Sequence, residues 1–144
     1  MSIADVLHSK GSRVVKVGTS DTVASAITKL AEYRIGAVVV EDQWMRPVGI
    51  FSERDFVNAT AEFGAQVLTF PVDRLMSSPI VTCHSTDRVE TALSAMTLAK
   101  IRHLPVIDAG NLVGIVSIGD LVKHRLDEKA LEANVLLDIA RLHA

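Results

Sequence analysis

Short apolar runs and stretches of helical spacing follow one another along this chain, and the succession comes round twice. A β-branched segment comes first, Val14-Val15-Lys16-Val17 in one copy and Ile80-Val81-Thr82-Cys83 in the other. A polar cluster follows, Thr19-Ser20-Asp21-Thr22 or Ser85-Thr86-Asp87, of the residue types that cap helix starts. Next, Val23, Ala26, Ile27 and Leu30 recur at helical spacing, as do Val89, Ala92, Leu93 and Met96. A second strand is predicted over Ala37 to Val40, or Leu104 to Ile107, and then a turn over Asp42 to Pro47, or Asp108-Ala109-Gly110-Asn111. A third strand, Val48 to Phe51 or Val113 to Val116, runs into a last helix opened by Ser52 or Ser117.

The pattern predicts an α/β (α+β) fold, β-α-β-β-α twice. Two stretches carry the repeat in sequence: Asp21 to Ile27 against Asp87 to Leu93, and Gly49 to Val57 against Gly114 to Val122. Two copies make a pseudo-twofold pair rather than a solenoid. Neither copy covers its own half-buried strands, so face-to-face packing would bury both sheets. The expected bounds are 1–66 and 67–126 for the repeats, joined through Phe63 to Asp73 with a break at Pro71, and 127–144 for a tail. Met76 is expected in the core of a short helix before the second copy. In the tail Leu131, Val135, Ile139 and Leu142 share one helical stripe. That stripe either closes the chain's own core or packs a dimer.

Composition narrows the partners. With 144 residues and a 49% hydrophobic fraction, a chain this small has apolar surface to share with a second copy. The net charge of −2 supplies no field for a polyanion, and 4% aromatics offer few stacking platforms, so nucleic acid is not expected. No apolar run reaches the roughly 18 residues of a membrane helix, and Met1 to Lys10 lacks a leader's apolar centre. The one cysteine, Cys83, suits a reducing cytoplasm.

The candidate chemistry lies where the third strand meets the last helix. Ser52-x-x-Asp55 and Ser117-x-x-Asp120 each follow Gly-Ile and one further apolar residue. A helix start carries unpaired amides and the positive end of the dipole, which suits a phosphate. The serine adds a hydroxyl, and an aspartate one turn on can accept both hydrogens of a ribose diol. The same four-residue pattern is also close to a capping box that serves the helix alone. Recurrence at matching repeat positions, with Asp both times, favours a ligand role.

Gly49-Ile50-Phe51-Ser52-Glu53-Arg54-Asp55-Phe56 and Gly114-Ile115-Val116-Ser117-Ile118-Gly119-Asp120-Leu121 resemble the signature of cystathionine-β-synthase-type (CBS) domains. Lys100 to Asp108 is similar to the family's second strand, and the resemblance runs from about Ile3 to Val122. It implies a tandem module, a Bateman module, with two clefts, usually dimerised. Such modules bind AMP, ADP, ATP, NAD or S-adenosylmethionine, with AMP the first expectation here, and regulate another protein. The resemblance further implies that one cleft holds Ser52, Arg54 and Asp55 facing Val81, Thr82, Arg102, His103, Leu104 and Pro105. The other holds Ser117 and Asp120 facing Val15, Lys16, Gly36, Ala37 and Val38. First-strand backbone would read the adenine edge, and Leu104 would sandwich the ring. Arg102-His103 matches a phosphate-contacting basic pair of the family, whereas the first copy has Gly36-Ala37 and Gly119 replaces Arg54. The second cleft then takes a less charged ligand, binds weakly or stays empty.

Other residues weigh less. His8, His84, His103, His124 and His143 show no metal spacing, and adjacent Cys83 and His84 on a strand point to opposite faces. His103 reads equally as a surface residue at a strand end. Arg54 reads as a ligand or dimer contact or as a solvated helix residue, and Trp44 as loop packing. No nucleophile with a paired base is evident, so an enzyme is not expected. With no catalytic domain beside the module, the expected target is a separate effector protein. The alternative is an interaction or structural homodimer with vestigial clefts.

Overall fold

The structure, a computed structural model, describes residues 1–142; His143 lies outside the described residues. The elements follow as α1 (Ile3–Lys10), β1 (Lys16–Gly18), α2 (Val23–Tyr33), β2 (Ala37–Glu41), β3 (Pro47–Ser52), α3 (Glu53–Phe63), α4 (Val89–Ala99), β4 (His103–Asp108), β5 (Asn111–Ser117) and α5 (Ile118–Leu142). Two 3-10 turns, Gly64–Thr69 and Val72–Arg74, follow α3.

Contacts divide the chain into two compact units, one of Arg13–Thr82 and one of Met1–Ser12 with the chain from Cys83 onward. That division does not follow repeat order, which suggested bounds at 66, 67 and 126. The reason is reciprocal packing of the segments ahead of each repeat. The stretch before the second repeat stays with the first: Val72 is fully buried there, and Ser77 exchanges both backbone hydrogen bonds with Ile50, at 3.1 and 2.8 Å. The stretch before the first repeat, α1, joins the second: Ile3, Val6 and Leu7 lie in one cluster with Val89, Met96, Leu104, Val116 and Leu121.

In the Arg13–Thr82 unit the sheet order is β1-β2-β3, with β1 parallel and β3 antiparallel to β2. Val38, Val39 and Val40 are all fully buried, as a strand covered on both faces should be. Val38 and Val40 pack with Val23, Ala26, Leu30 and Phe51. Asp21 does not cap α2; Thr22 does, accepting from the Ser25 amide. The Asp21 carboxylate instead accepts from the Gly18 amide at 2.7 Å, and Asp87 takes the His84 amide at 2.9 Å at the matching place in the second copy. Met76 lies two residues past a 3-10 turn rather than within a helix, and packs against this core.

The other unit pairs only β4 with β5. The expected strand Ile80 to Cys83 reduces to a parallel bridge between Cys83 and Val106. Cys83 donates to Pro105 O at 3.0 Å and accepts from Ile107 N at 2.8 Å. Pro105 has no amide hydrogen to return, so the ladder extends no further. The expected tail is not a separate helix either: α5 runs unbroken for 25 residues. Its stripe of Leu131, Val135, Ile139 and Leu142 stays exposed, so it does not close the chain's own core. Trp44 packs within the β2–β3 turn, with the Arg46 guanidinium 4.8 Å from its ring, while the ring stays 64% exposed.

Candidate functional site

Each unit presents one strand-to-helix tip. At the first, β3 ends at Ser52 with extended dihedrals, φ −120° and ψ 166°, and α3 begins. Asp55 N donates to Ser52 Oγ at 3.3 Å, while Ser52 N and Oγ donate to Asp55 Oδ2 at 2.9 and 3.0 Å. Ser77 Oγ donates to the other carboxylate oxygen at 3.0 Å. The register sets Ala37 opposite Ser52, and Glu53 N donates to Gly36 O at 3.0 Å. Gly36 and Ala37 thus flank this tip within its own unit.

The second tip repeats the plan. Asp120 N donates to Ser117 Oγ at 3.1 Å, and Ser117 N to Asp120 Oδ2 at 2.8 Å. His103 lies opposite Ser117 in the register, and Ile118 N donates to Arg102 O at 2.8 Å. A cation completes this tip. Lys10, in the last turn of α1, donates from Nζ to Asp120 Oδ2 at 2.6 Å and to Ile115 O at 2.9 Å. Burial works against ionisation of Asp120, but the Lys10 ammonium and the Ser117 hydrogen bonds outweigh it and hold the carboxyl below its ordinary value.

Both tips are complete capping boxes in their own right. A third box of the same geometry opens α1, where Ser2 N and Oγ donate to Asp5 Oδ2 at 2.9 and 3.1 Å. This third Ser-x-x-Asp is visible in the sequence, but it falls outside the repeated third-strand context. An ionised carboxylate has about four lone-pair sites. Among the described residues Asp55 has three hydrogen bonds on it and Asp120 two, so each keeps acceptor capacity for a further donor.

The remaining candidate residues divide by what they expose. Arg54 and Arg102 are exposed, and Val81 and Thr82 lie exposed outside any strand. Val38 and Leu104 are fully buried in the two cores and Pro105 is buried beside Leu104, so a ligand meets their backbone at most. This corrects the expectation that the Leu104 side chain sandwiches a ring. Lys16 pairs with Glu41 at 3.2 Å. His84 Nδ1 lies 2.7 Å from Ile107 O, which only accepts, so that nitrogen carries the proton. Among the described residues no three His, Cys, Asp or Glu side chains group as a metal site, and no helix is long and apolar enough to cross a membrane.

A strand-to-helix tip built twice on a shared α-β-β-α succession defines a paired-repeat module. The chain belongs to the CBS domain family, whose model matches residues 3–62 and 72–127. Its fold is the α/β fold of two CBS repeats, as in solved CBS-domain structures. It is similar to the CBS-domain containing protein ATU1752 from Agrobacterium tumefaciens, at 40% identity and TM-score 0.83, over 86% of this chain and 92% of that one. The CBS domain protein PAE2072 from Pyrobaculum aerophilum, solved in complex with AMP, is 32% identical at TM-score 0.74, over 83% and 89% of the two chains. The CBS domain-containing protein YhcV of Bacillus subtilis is 29% identical over 128 residues, 89% of this chain and 90% of that protein.

Proposed function

We propose that the chain is a regulatory module that binds an adenine nucleotide at its strand-to-helix tips and relays the bound state to a partner protein. The observation that carries this reading is the pair of matched tips. Each combines a helix start, a serine hydroxyl and an aspartate with acceptor capacity left. Ser52 and Asp55 are assigned the sugar-phosphate at the first tip, with Arg54 available to phosphate; Ser117 and Asp120 are their counterparts at the second. Arg102-His103-Leu104-Pro105, Val81-Thr82 and Lys16 with Gly36-Ala37-Val38 are proposed as further contacts, through backbone where the side chains are buried. The AMP complex of the related archaeal protein supports AMP as the first ligand to test; ADP, ATP, NAD and S-adenosylmethionine complete the panel. We infer binding rather than turnover, because the serines and aspartates are already engaged in holding helix starts. The exposed stripe on α5 supports a homodimer, and a lone thiol supports a cytoplasmic setting.

Calorimetry across the ligand panel tests the proposal. Asp55→Ala is expected to weaken binding by about 1–3 kcal/mol, the cost of leaving the ribose donors without their acceptor. Unchanged affinity in that variant refutes the ribose role. One observation favours a second reading, a structural homodimer with tips that only cap. The Ser2–Asp5 box reproduces the tip geometry where no ligand is expected. No response across the whole panel supports that alternative.

A further inference from the structure

The two tips share a motif but differ in what already touches their carboxylates. At the first, the added donor is a neutral hydroxyl, Ser77 Oγ, on Asp55 Oδ1. At the second it is the Lys10 ammonium, on the same Asp120 oxygen that receives the Ser117 amide. The docking that places Lys10 is built into the fold. Ile3 and Val6 of α1 are almost wholly buried in one cluster with Val116 and Leu121, and Gly114 lets the helix come close to β5: a Cβ there would fall 2.7 Å from Leu7 Cδ2. From that footing Lys10 spans two acceptors, Ile115 O and Asp120 Oδ2. The matching carbonyl of the first unit, Ile50 O, receives the Ser77 amide instead. Each tip is therefore closed off by the segment that precedes a repeat, but only α1 brings a charge.

We propose that Lys10 is a tethered competitor that occupies the diol-accepting carboxylate of the second tip, so that the first tip is the high-affinity nucleotide site and the second opens only when Lys10 is displaced. This rests on the nucleotide reading above. A ribose diol brings two neutral hydroxyl donors. The carboxylate charge assists hydrogen bonds from either donor, but the ammonium adds a full opposite charge of its own at 2.6 Å and is tethered next to the carboxylate. The pair is partly exposed, with side-chain accessibilities of 32% and 27%, so the block is a graded one that a nucleotide can overcome.

The test is AMP calorimetry on four full-length chains: wild type, D55A, D55A/K10M and D55A/K10R. Loss of the first tip isolates the second, methionine keeps the length of the lysine stem without its charge, and arginine restores the charge. The expected result is that D55A/K10M binds AMP about fivefold more tightly than D55A, the upper worth of a partly exposed ion pair, and that D55A/K10R returns to the D55A value. A role of Lys10 in helix docking alone would not be rescued by arginine in this way. If wild type binds AMP and D55A/K10M binds it no more tightly than D55A, the competitor role is overturned while the nucleotide reading stands. If none of the four chains binds AMP or any other member of the panel, the nucleotide reading falls and the competitor role with it.

Discussion

Replacing the three capping serines one at a time separates holding a helix from holding a ligand. Ser2, Ser52 and Ser117 each accept the amide three residues on, at 3.4, 3.3 and 3.1 Å. Their caps are therefore of comparable strength, and each Ser→Ala change is expected to cost about 1 kcal/mol of stability. For a chain of this size that corresponds to a fall of roughly 2–4 °C in melting temperature. Ser2 opens α1, outside the repeated third-strand context, so S2A removes a cap of the same kind without removing a proposed nucleotide contact. S52A removes the same cap and, under the proposed function, one neutral hydrogen bond to the nucleotide, about 0.5–1.5 kcal/mol or roughly a two- to tenfold rise in Kd. The assay is thermal melting with and without AMP, with calorimetry at a temperature where all variants are folded. The expected pattern is that S2A and S52A melt lower by similar amounts without ligand, while only S52A loses affinity. If S2A and S52A leave the AMP Kd equally unchanged, Ser52 is a cap and nothing more.

Gly114→Ala is expected to destabilise by about 1–3 kcal/mol through overpacking against Leu7, with Leu7→Ala in the same chain recovering part of the loss in a melting-temperature double-mutant cycle. Gly49→Ala, at the matching position, is expected to cost at least as much. Its Cβ would come within 2.9 Å of Met76 Cγ and 3.0 Å of the Ser77 carbonyl, and backbone yields less than a leucine side chain. Burial pushes the Cys83 thiol from 9.0 up to about 12, with the Asp87 and Asp108 carboxylates adding to the shift. The native chain is therefore expected to resist a disulfide reagent at pH 8 and to react once unfolded. Because the folded state holds this proton more tightly, the contribution is complete below pH 9 and fades as pH rises towards 12. An alkaline loss of stability that C83A does not reduce would contradict the assignment.

Much of this fold was legible because its signals are local. The helical spacing of Val23, Ala26 and Leu30, and of Val89, Ala92 and Met96, marks the faces that are buried. Gly-Ile followed by an apolar residue and Ser-x-x-Asp marks both tips. What periodicity could not reach depends on partners distant in sequence. Val81 and Thr82 are β-branched and read as a strand, yet the neighbour at Cys83 is Pro105, which gives no amide hydrogen. Lys10 reads as an ordinary basic residue in a last helical turn; its partner is 110 positions away and comes within reach only because α1 docks on β5. The unit bounds were hidden for the same cause, since each pre-repeat segment packs with the repeat it does not precede in sequence. Leu104, read as a ring contact, shows the converse error: an apolar residue in a strand is more often core than ligand surface.

The central claim is that a nucleotide engages the first tip, and the backbone amides there report it most directly. In a ¹H–¹⁵N correlation spectrum titrated with AMP, the account predicts saturable shifts centred on the amides of Ser52, Glu53, Arg54 and Asp55, with those of Ser2 to Asp5 unmoved. A titration that leaves the Ser52 to Asp55 amides in place, or moves the α1 box just as far, would contradict it.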